Sequence, residues 1–374
     1  MHILEPSAIC MIRISAIGDC CHTLPVVRTI QAAWPKTKIT WIIGAIEYEL
    51  FNGIDDIEFI ILNKSKGSSG YIDVYRNLAG RRFPVLLHMH PSMRANIVSC
   101  FVRADVRIGF DKFRAKDRQW LFTNQRIAPE PRQHVMDGLF GFAETLGLLD
   151  RIYRWDIPVS ESDRKRAAEL ISGPRPLCVI SPCSNQRFRN YRNWPAKNYA
   201  EVAVHLHKRY GAHVVLTGSP SDYERKYGEA IESAASCPIT NLIGRTSLKQ
   251  LLAIIESADL LICPDSGPAH MATAVRTPVI GLYATTNPDR ARPYFSEEFL
   301  VNEYPQAVRQ EFNKSVSEVR WGERVRHPDA MNMIEVDAVA QNIRKVLEPS
   351  AESGATQTHR GDPRPNVAPD SSMG

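Results

Sequence analysis

Asp265-Ser266-Gly267-Pro268-Ala269-His270 gathers an acid, a hydroxyl, a glycine, a proline and an imidazole within six residues. An apolar run at 258–263 precedes it and a small-residue run at 269–275 follows. The expected local structure is therefore strand, tight turn, helix. Pro268 suits a first helical position, where its missing N–H would be an orphan anyway. The free N–H groups and the positive dipole end of such a helix attract anions. A diphosphate is the natural occupant, held by Ser266 and Gly267, with His270 one turn in as a further donor. The same residues also suit an ordinary strand-to-helix turn with no ligand.

Two other places carry candidate chemistry. Gly18-Asp19 follows an apolar first strand at 8–16, so Asp19 falls at the carboxyl edge where open α/β sheets bind ligands. A carboxylate there could take a proton; it could equally cap the helix beginning at Cys20. Ser181-Pro182-Cys183-Ser184, Arg187, Arg189 and Arg192 follow a later strand and bring hydroxyls beside guanidinium groups. Arg192 could grip phosphate bidentately, or the stretch could be a basic surface loop. There is no G-x-G-x-x-G, so a Rossmann dinucleotide fingerprint is not supported.

The elements that must hold these residues alternate. Strands are predicted at 38–44, 57–62, 85–88 and 106–109, with helices at 20–34, 47–52, 71–79, 95–103 and 134–146 between and after them. The pattern resumes after residue 176, with strands at 177–181, 212–217, 258–263 and 278–283, the last strand expected, and helices at 198–210, 223–233 and 246–256. A final amphipathic helix is predicted at 333–347. Alternation of this kind implies parallel sheets with crossover helices. The expected fold class is α/β, with an N-terminal domain at 1–158, a linker region at 159–175 and a C-terminal domain at 176–348. The remainder, 349–374, is poor in large apolar residues and is expected to be a disordered tail.

The 374 residues suffice for two domains, and 44% hydrophobic with 23% charged residues is a soluble balance. A net charge of +5 suits anionic substrates or an anionic membrane surface, and falls short of a dedicated nucleic-acid binder. No secretory signal and no membrane-spanning run is evident. The eight cysteines are scattered, with no C-x-x-C pair, so free thiols in a reducing cytoplasm are expected, with neither disulfides nor structural zinc. Lys112, Arg114, Lys116 and Arg118 form a basic cluster, which reads as a solvated loop or as a contact for an acidic partner.

Four segments together resemble glycosyltransferase family 9, the lipopolysaccharide heptosyltransferases and their relatives. They are residues 11–19 running into His22-Thr23-Leu24-Pro25, then Arg192-Asn193-Trp194-Pro195, then Asp265 to His270, and Thr277-Pro278-Val279-Ile280-Gly281-Leu282-Tyr283. The resemblance spans roughly Cys10 to Leu347. It implies the GT-B arrangement, two Rossmann-like domains with parallel sheets facing a cleft, the last helix packing back on the first domain. It also implies a metal-independent, inverting transfer with Asp19 as general base. Ser184, Arg192, Asp222, Asp265, Ser266, Gly267 and His270 would bind the nucleotide sugar, with ADP-heptose as donor and no cofactor. His22, His90 and Arg94 would face an anionic, lipid-linked saccharide acceptor, at the inner face of the cytoplasmic membrane and with peripheral attachment. The sequence departs from the family at Gly218-Ser219-Pro220-Ser221-Asp222 and at His88-Met89-His90, which puts the contacts to nucleoside and acceptor in question. Two other readings keep the same fold: a nucleotide-sugar 2-epimerase, and a family 9 transferase with another donor. A third, a non-catalytic nucleotide-sugar binder, would be expected to lack Asp19.

Overall fold

A computed structural model describes residues 5–185 and 188–348. In the first half, strands β1 (Ala8–Ile12), β2 (Lys38–Gly44), β3 (Ile57–Leu62), β4 (Phe83–His88), β5 (Ala104–Gly109) and β6 (Gln125–Arg126) are joined by helices. These are α1 (Ile17–Ala33), α2 (Ala45–Phe51), α3 (Ser68–Leu78) and α4 (Met93–Cys100), and α5 (Val135–Thr145) follows β6. The second half begins with α6 (Glu161–Leu170), β7 (Leu177–Ile180), α7 (Ala196–Tyr210), β8 (His213–Leu216), α8 (Asp222–Ala234) and β9 (Thr240–Asn241). It continues with α9 (Leu248–Ser257), β10 (Leu260–Pro264), α10 (Gly267–Val275), β11 (Val279–Tyr283), α11 (Pro288–Ala291), β12 (Val301–Asn302), α12 (Tyr304–Phe312) and α13 (Val336–Leu347).

The strand orders are β3-β2-β1-β4-β5-β6 and β12-β11-β10-β7-β8-β9. Every strand pairing is parallel. In each sheet the chain builds outward for three strands, crosses back and builds outward the other way. The two halves therefore share one topology, the α/β class expected. Central strands such as β7 and β10 are buried throughout, as near-continuous apolar parallel strands should be.

The sheets are joined by packing. One buried apolar cluster takes Cys20, Leu24 and Val27 from α1, Ala269 and Ala272 from α10, and Ile255 from α9. Trp155 Nε1 donates to Cys21 O at 2.7 Å, and Trp321 Nε1 to Gln133 O at 2.7 Å.

Some expectations change. The chain leaves β1 at Ile12, and Gly18 and Asp19 lie inside the first turn of α1 rather than before the helix. The Asp19 carboxylate accepts the Ala16 N–H at 3.3 Å, which satisfies one free group of that turn. Strand β12 lies beyond the strand expected to be last. Helix α13 does not return to the first domain. Its apolar side, Val339 and Ile343, packs against α7 and the β11–β12 edge of the second sheet. The expected tail lies outside the described residues. All eight cysteines are free. Among the described residues no helix is long and apolar enough to cross a membrane.

Candidate active site

In a doubly wound sheet, ligands settle beyond the carboxyl ends of the strands where strand order reverses. The first sheet reverses between β1 and β4, the second between β7 and β10. The residues following these four strands are Arg13 to Asp19, Met89 to Arg94, Ser181 to Arg192 and Asp265 to His270. They hold nearly every candidate side chain.

At the first reversal, Arg13 is buried. Its Nη1 donates to Met89 O at 2.5 Å, and its Nη2 meets Asp19 Oδ2 at 2.5 Å. The Asp19 side chain keeps 35% of its surface exposed. Burial by itself would raise the Asp19 pKa. The Arg13 charge, the Ala16 N–H, the Arg13 hydrogen bond and the charge of Arg290 outweigh it and hold the carboxyl below its ordinary range. Asp19 is thus an ionised, partly open carboxylate at neutral pH. His90 accepts the Ile14 N–H on Nδ1 at 3.3 Å. Burial first, then the Arg13 charge, pushes its pKa down to about 3, so it is a neutral ring.

At the second reversal, Arg192 reaches from the β7–α7 loop to the end of β10. Its Nη1 donates to Asp265 O at 2.7 Å and pairs with Asp265 Oδ2 at 3.0 Å, while Nε donates to Asn190 Oδ1 at 2.7 Å. Nη2 has no protein partner among the described residues. Asp265 therefore orients Arg192, and Arg192 is the group left to meet an anion. A cavity of about 140 Å³ lies beside it, lined by Arg189, Thr285, Thr286, Arg324 and Arg326 among others.

The two reversals face each other. A Cβ on Gly18 would fall 2.2 Å from His270 Cδ2, and one on Gly267 would fall 3.7 Å from Ile17 Cβ. Gly18 is therefore required for the first turns of α1 and α10 to approach this closely. The His22 ring stands edge-on to His270 at 4.4 Å and to His134 at 5.4 Å. Burial holds the pKa of all three imidazoles down. Eight buried side-chain nitrogen or oxygen atoms lack a hydrogen-bond partner among the described residues, and four of them belong to Arg13, His22, Ser266 and His270. Unmet polar groups of that kind are rare in folded proteins. Their concentration here makes this the leading candidate for a polar ligand site. Lys116, whose charge is felt by Arg290, Arg324 and Asp19, extends the positive field around the carboxylate.

The structure thus brings together Asp19, His22, His90, Arg192, Asp265, Ser266, Gly267 and His270. Ser184 is close by, but its hydroxyl is taken. It donates to Asn193 Oδ1 at 2.9 Å and accepts from Asn190 at 3.0 Å, stapling the loop that carries Arg192. His22 is only 2% exposed beneath His270, which leaves it no face for an acceptor in this arrangement. Arg94 is exposed on the first turn of α4. Asp222 does not join the site. Its side chain is 89% exposed and pairs with Arg225, because it sits on the outward side of the first turn of α8. The buried acid of that turn is Glu224, which accepts the Ser219 N–H at 2.7 Å. Arg114 is likewise not free, being bound to Asp111, Gln133 and Ala128 O. Arg187 lies outside the described residues. Sequence reasoning missed Arg13, although a lone charge inside an apolar strand was the available signal. It also missed Arg290 and the Thr285-Thr286 pair, which carry no motif. A second cavity, about 410 Å³, lies between the halves and is lined by Arg132, Arg151, Arg292 and Trp321 among others.

Comparison with known proteins supports the fold and gives the family. The profile of Glycosyltransferase family 9 (heptosyltransferase) matches residues 72–319. The lipopolysaccharide core heptosyltransferase OpsX of Haemophilus influenzae is 38% identical over 91% of this chain and 97% of its own. Lipopolysaccharide heptosyltransferase 3 of Escherichia coli is 27% identical over 74% of this chain and 82% of its own. Among solved structures, a family 9 glycosyl transferase from Veillonella parvula superposes with a TM-score of 0.73 at 21% identity, covering 91% and 97% of the two chains. ADP-heptose lps heptosyltransferase II of E. coli gives 0.66 at 21% identity, covering 91% and 98%. The chain belongs to glycosyltransferase family 9, the heptosyltransferases.

Proposed function

We propose that this glycosyltransferase moves heptose from ADP-heptose to the inner core of a bacterial lipopolysaccharide. The step is a single displacement with inversion. Asp19 removes the proton from the acceptor hydroxyl as that oxygen bonds to the anomeric carbon. The bond from that carbon to the diphosphate oxygen breaks, the electron pair leaves with ADP, and the proton stays on Asp19. Arg192 and the N-terminal N–H groups of α10 meet the growing charge on the leaving diphosphate. These groups supply positive charge directly, so the reaction proceeds without a metal ion. Asp265 and Asn190 hold Arg192 in place, and Arg13 holds Asp19.

The observation that carries this reading is the close approach of α1 and α10, which sets an ionised carboxylate opposite an anion-binding turn. The acceptor is anionic and lipid-linked, and Arg94 and Lys116 stand on its side of the cleft. The enzyme accordingly works in the cytoplasm, peripherally attached to the inner face of the membrane.

The test is to incubate the purified chain with ADP-heptose and an inner-core acceptor, with a chelator present. The product is then read by mass spectrometry and its anomeric configuration by NMR. The expected result is an added heptose, inverted, at a rate the chelator does not change. An altered sugar formed without acceptor would establish the epimerase reading instead. Transfer from a UDP- or GDP-sugar alone would remove heptose as the donor sugar.

A further inference from the structure

Five of the fourteen large hydrophobic side chains standing exposed among the described residues fall between positions 93 and 121. They are Met93, Ile97, Phe113, Trp120 and Leu121. Phe113, Trp120 and Leu121 are 71%, 51% and 59% exposed. They are not loose ends of a mobile loop, because buried polar groups pin the backbone that presents them. Asp111, 3% exposed, accepts the Phe113 N–H at 2.8 Å and pairs with Arg114, which donates on to Gln133 and Ala128 O. Gln119, fully buried, donates to His88 O at 2.8 Å and accepts the Phe110 N–H at 3.1 Å. Asp117 joins this stretch to α4 by accepting the Met93 N–H at 2.8 Å. Here Asp111 and Gln119 face in while Phe113, Trp120 and Leu121 face out, the reverse of what folding alone would select for these residue types.

The cations complete the pattern. Arg94, Lys112 and Arg118 are exposed on the same stretch and form no ion pair among the described residues. The acids of residues 111–118 are both engaged, Asp111 with Arg114 and Asp117 with the Met93 N–H. Aromatic and aliphatic side chains set among unpaired cations match the boundary of an anionic bilayer, where rings lodge at headgroup depth and cations meet phosphates. A protein partner is less suited, since the apolar residues line neither cavity and stand on separate elements with charges between them. The stretch also runs straight into the cleft, where Lys116 shares the field of Asp19 and Arg290.

We infer that residues 93–121 are a membrane-docking surface, with Phe113, Trp120 and Leu121 entering an anionic lipid interface while Arg94, Lys112 and Arg118 meet its headgroups. The inference rests on the lipid-linked acceptor proposed above for its purpose, but on the surface alone for its geometry.

The test is flotation of the full chain with vesicles of phosphatidylethanolamine and phosphatidylglycerol, and with phosphatidylcholine alone, no acceptor being present. The wild type should bind the anionic vesicles, less so as salt rises. A chain carrying Phe113→Ser, Trp120→Ser and Leu121→Ser should bind about tenfold or more weakly while its Tm stays the same. Brominated anionic lipid should quench tryptophan fluorescence in the wild type and markedly less in Trp120→Phe, a change that keeps an aromatic side chain at the position. Equal binding by wild type and triple variant would overturn the inference. So would a wild type that ignores vesicles, including one that instead self-associates through this face. The proposed heptosyl transfer is judged separately, by wild-type turnover on a delipidated acceptor.

Discussion

The two strand-order reversals share one topology and leave opposite charges free. Each holds a guanidinium–carboxylate pair, Arg13 with Asp19 in the first sheet and Arg192 with Asp265 in the second. In the first, the arginine is fixed by a backbone carbonyl and the acid stays 35% exposed, so the acid is the member free to react. In the second, the acid takes up Nη1 of Arg192 while Nη2 is left over, so the cation is the member free to bind. On the mechanism proposed above, one scaffold serves as proton acceptor or anion holder according to which partner the surroundings immobilise. The domain interface then sets the two face to face, through α1 and α10.

The sharpest way to break this contrast is to remove the reactive acid. Asp19→Asn should lower kcat by about 10²–10⁴-fold in a heptosyl-transfer assay. Next in size is Arg192→Ala, which deletes a charged donor and should weaken ADP binding by roughly 1.5–3 kcal/mol, measured by calorimetry. Gly18→Ala tests the meeting of the halves, because its Cβ would lie 2.2 Å from His270 Cδ2. It should cost about 1–3 kcal/mol in denaturant unfolding, and adding His270→Ala should return part of that loss.

A smaller effect comes from the buried imidazoles. Burial lowers His88 and His134 to about 4 and lowers His22 and His270 as well, against an ordinary value of 6.5. The unfolded chain then binds more protons below that value. Stability should be full above about pH 6.5 and decline as pH falls toward about 4, read as a shift in urea midpoint. The smallest effect is expected at Asp222. Asp222→Ala should change stability by less than about 0.5 kcal/mol and leave ADP affinity unaltered, because the residue faces solvent.

Much of this architecture was legible in the chain. The bounds of β2 and β3 match the expected residues: β2 is an inner strand buried along nearly its whole length, and the apolar run of the edge strand β3 stands out from polar flanks. The Asp265–His270 turn was legible because a first-turn proline and a small-residue helix leave few alternatives. Local pattern failed where a partner distant in sequence decides the role. Arg13 reads as an anomaly of the first apolar run, 8–16, until Met89 and Asp19 are brought to it. Asp222 and Glu224 are both acids in one helical turn, and only the path of the preceding loop decides that Glu224 faces inward. Ser184 looks like a phosphate ligand until Asn190 and Asn193 fold over it. Helix α13 has a clear apolar face, but periodicity does not say which domain that face will meet. The short β6, β9 and β12 carry only two residues each, too few for a period to show.

The division of labour is tested most directly by nucleotide-dependent stabilisation of Asp19→Asn and Arg192→Ala beside the wild type. ADP at a hundred times its wild-type dissociation constant adds about 2.7 kcal/mol to a chain that binds it only when folded. Asp19→Asn should keep that stabilisation in full, although it no longer turns over, and Arg192→Ala should lose most of it. Loss of stabilisation in Asp19→Asn, or its retention in Arg192→Ala, would contradict the assignment of base to the first sheet and diphosphate to the second.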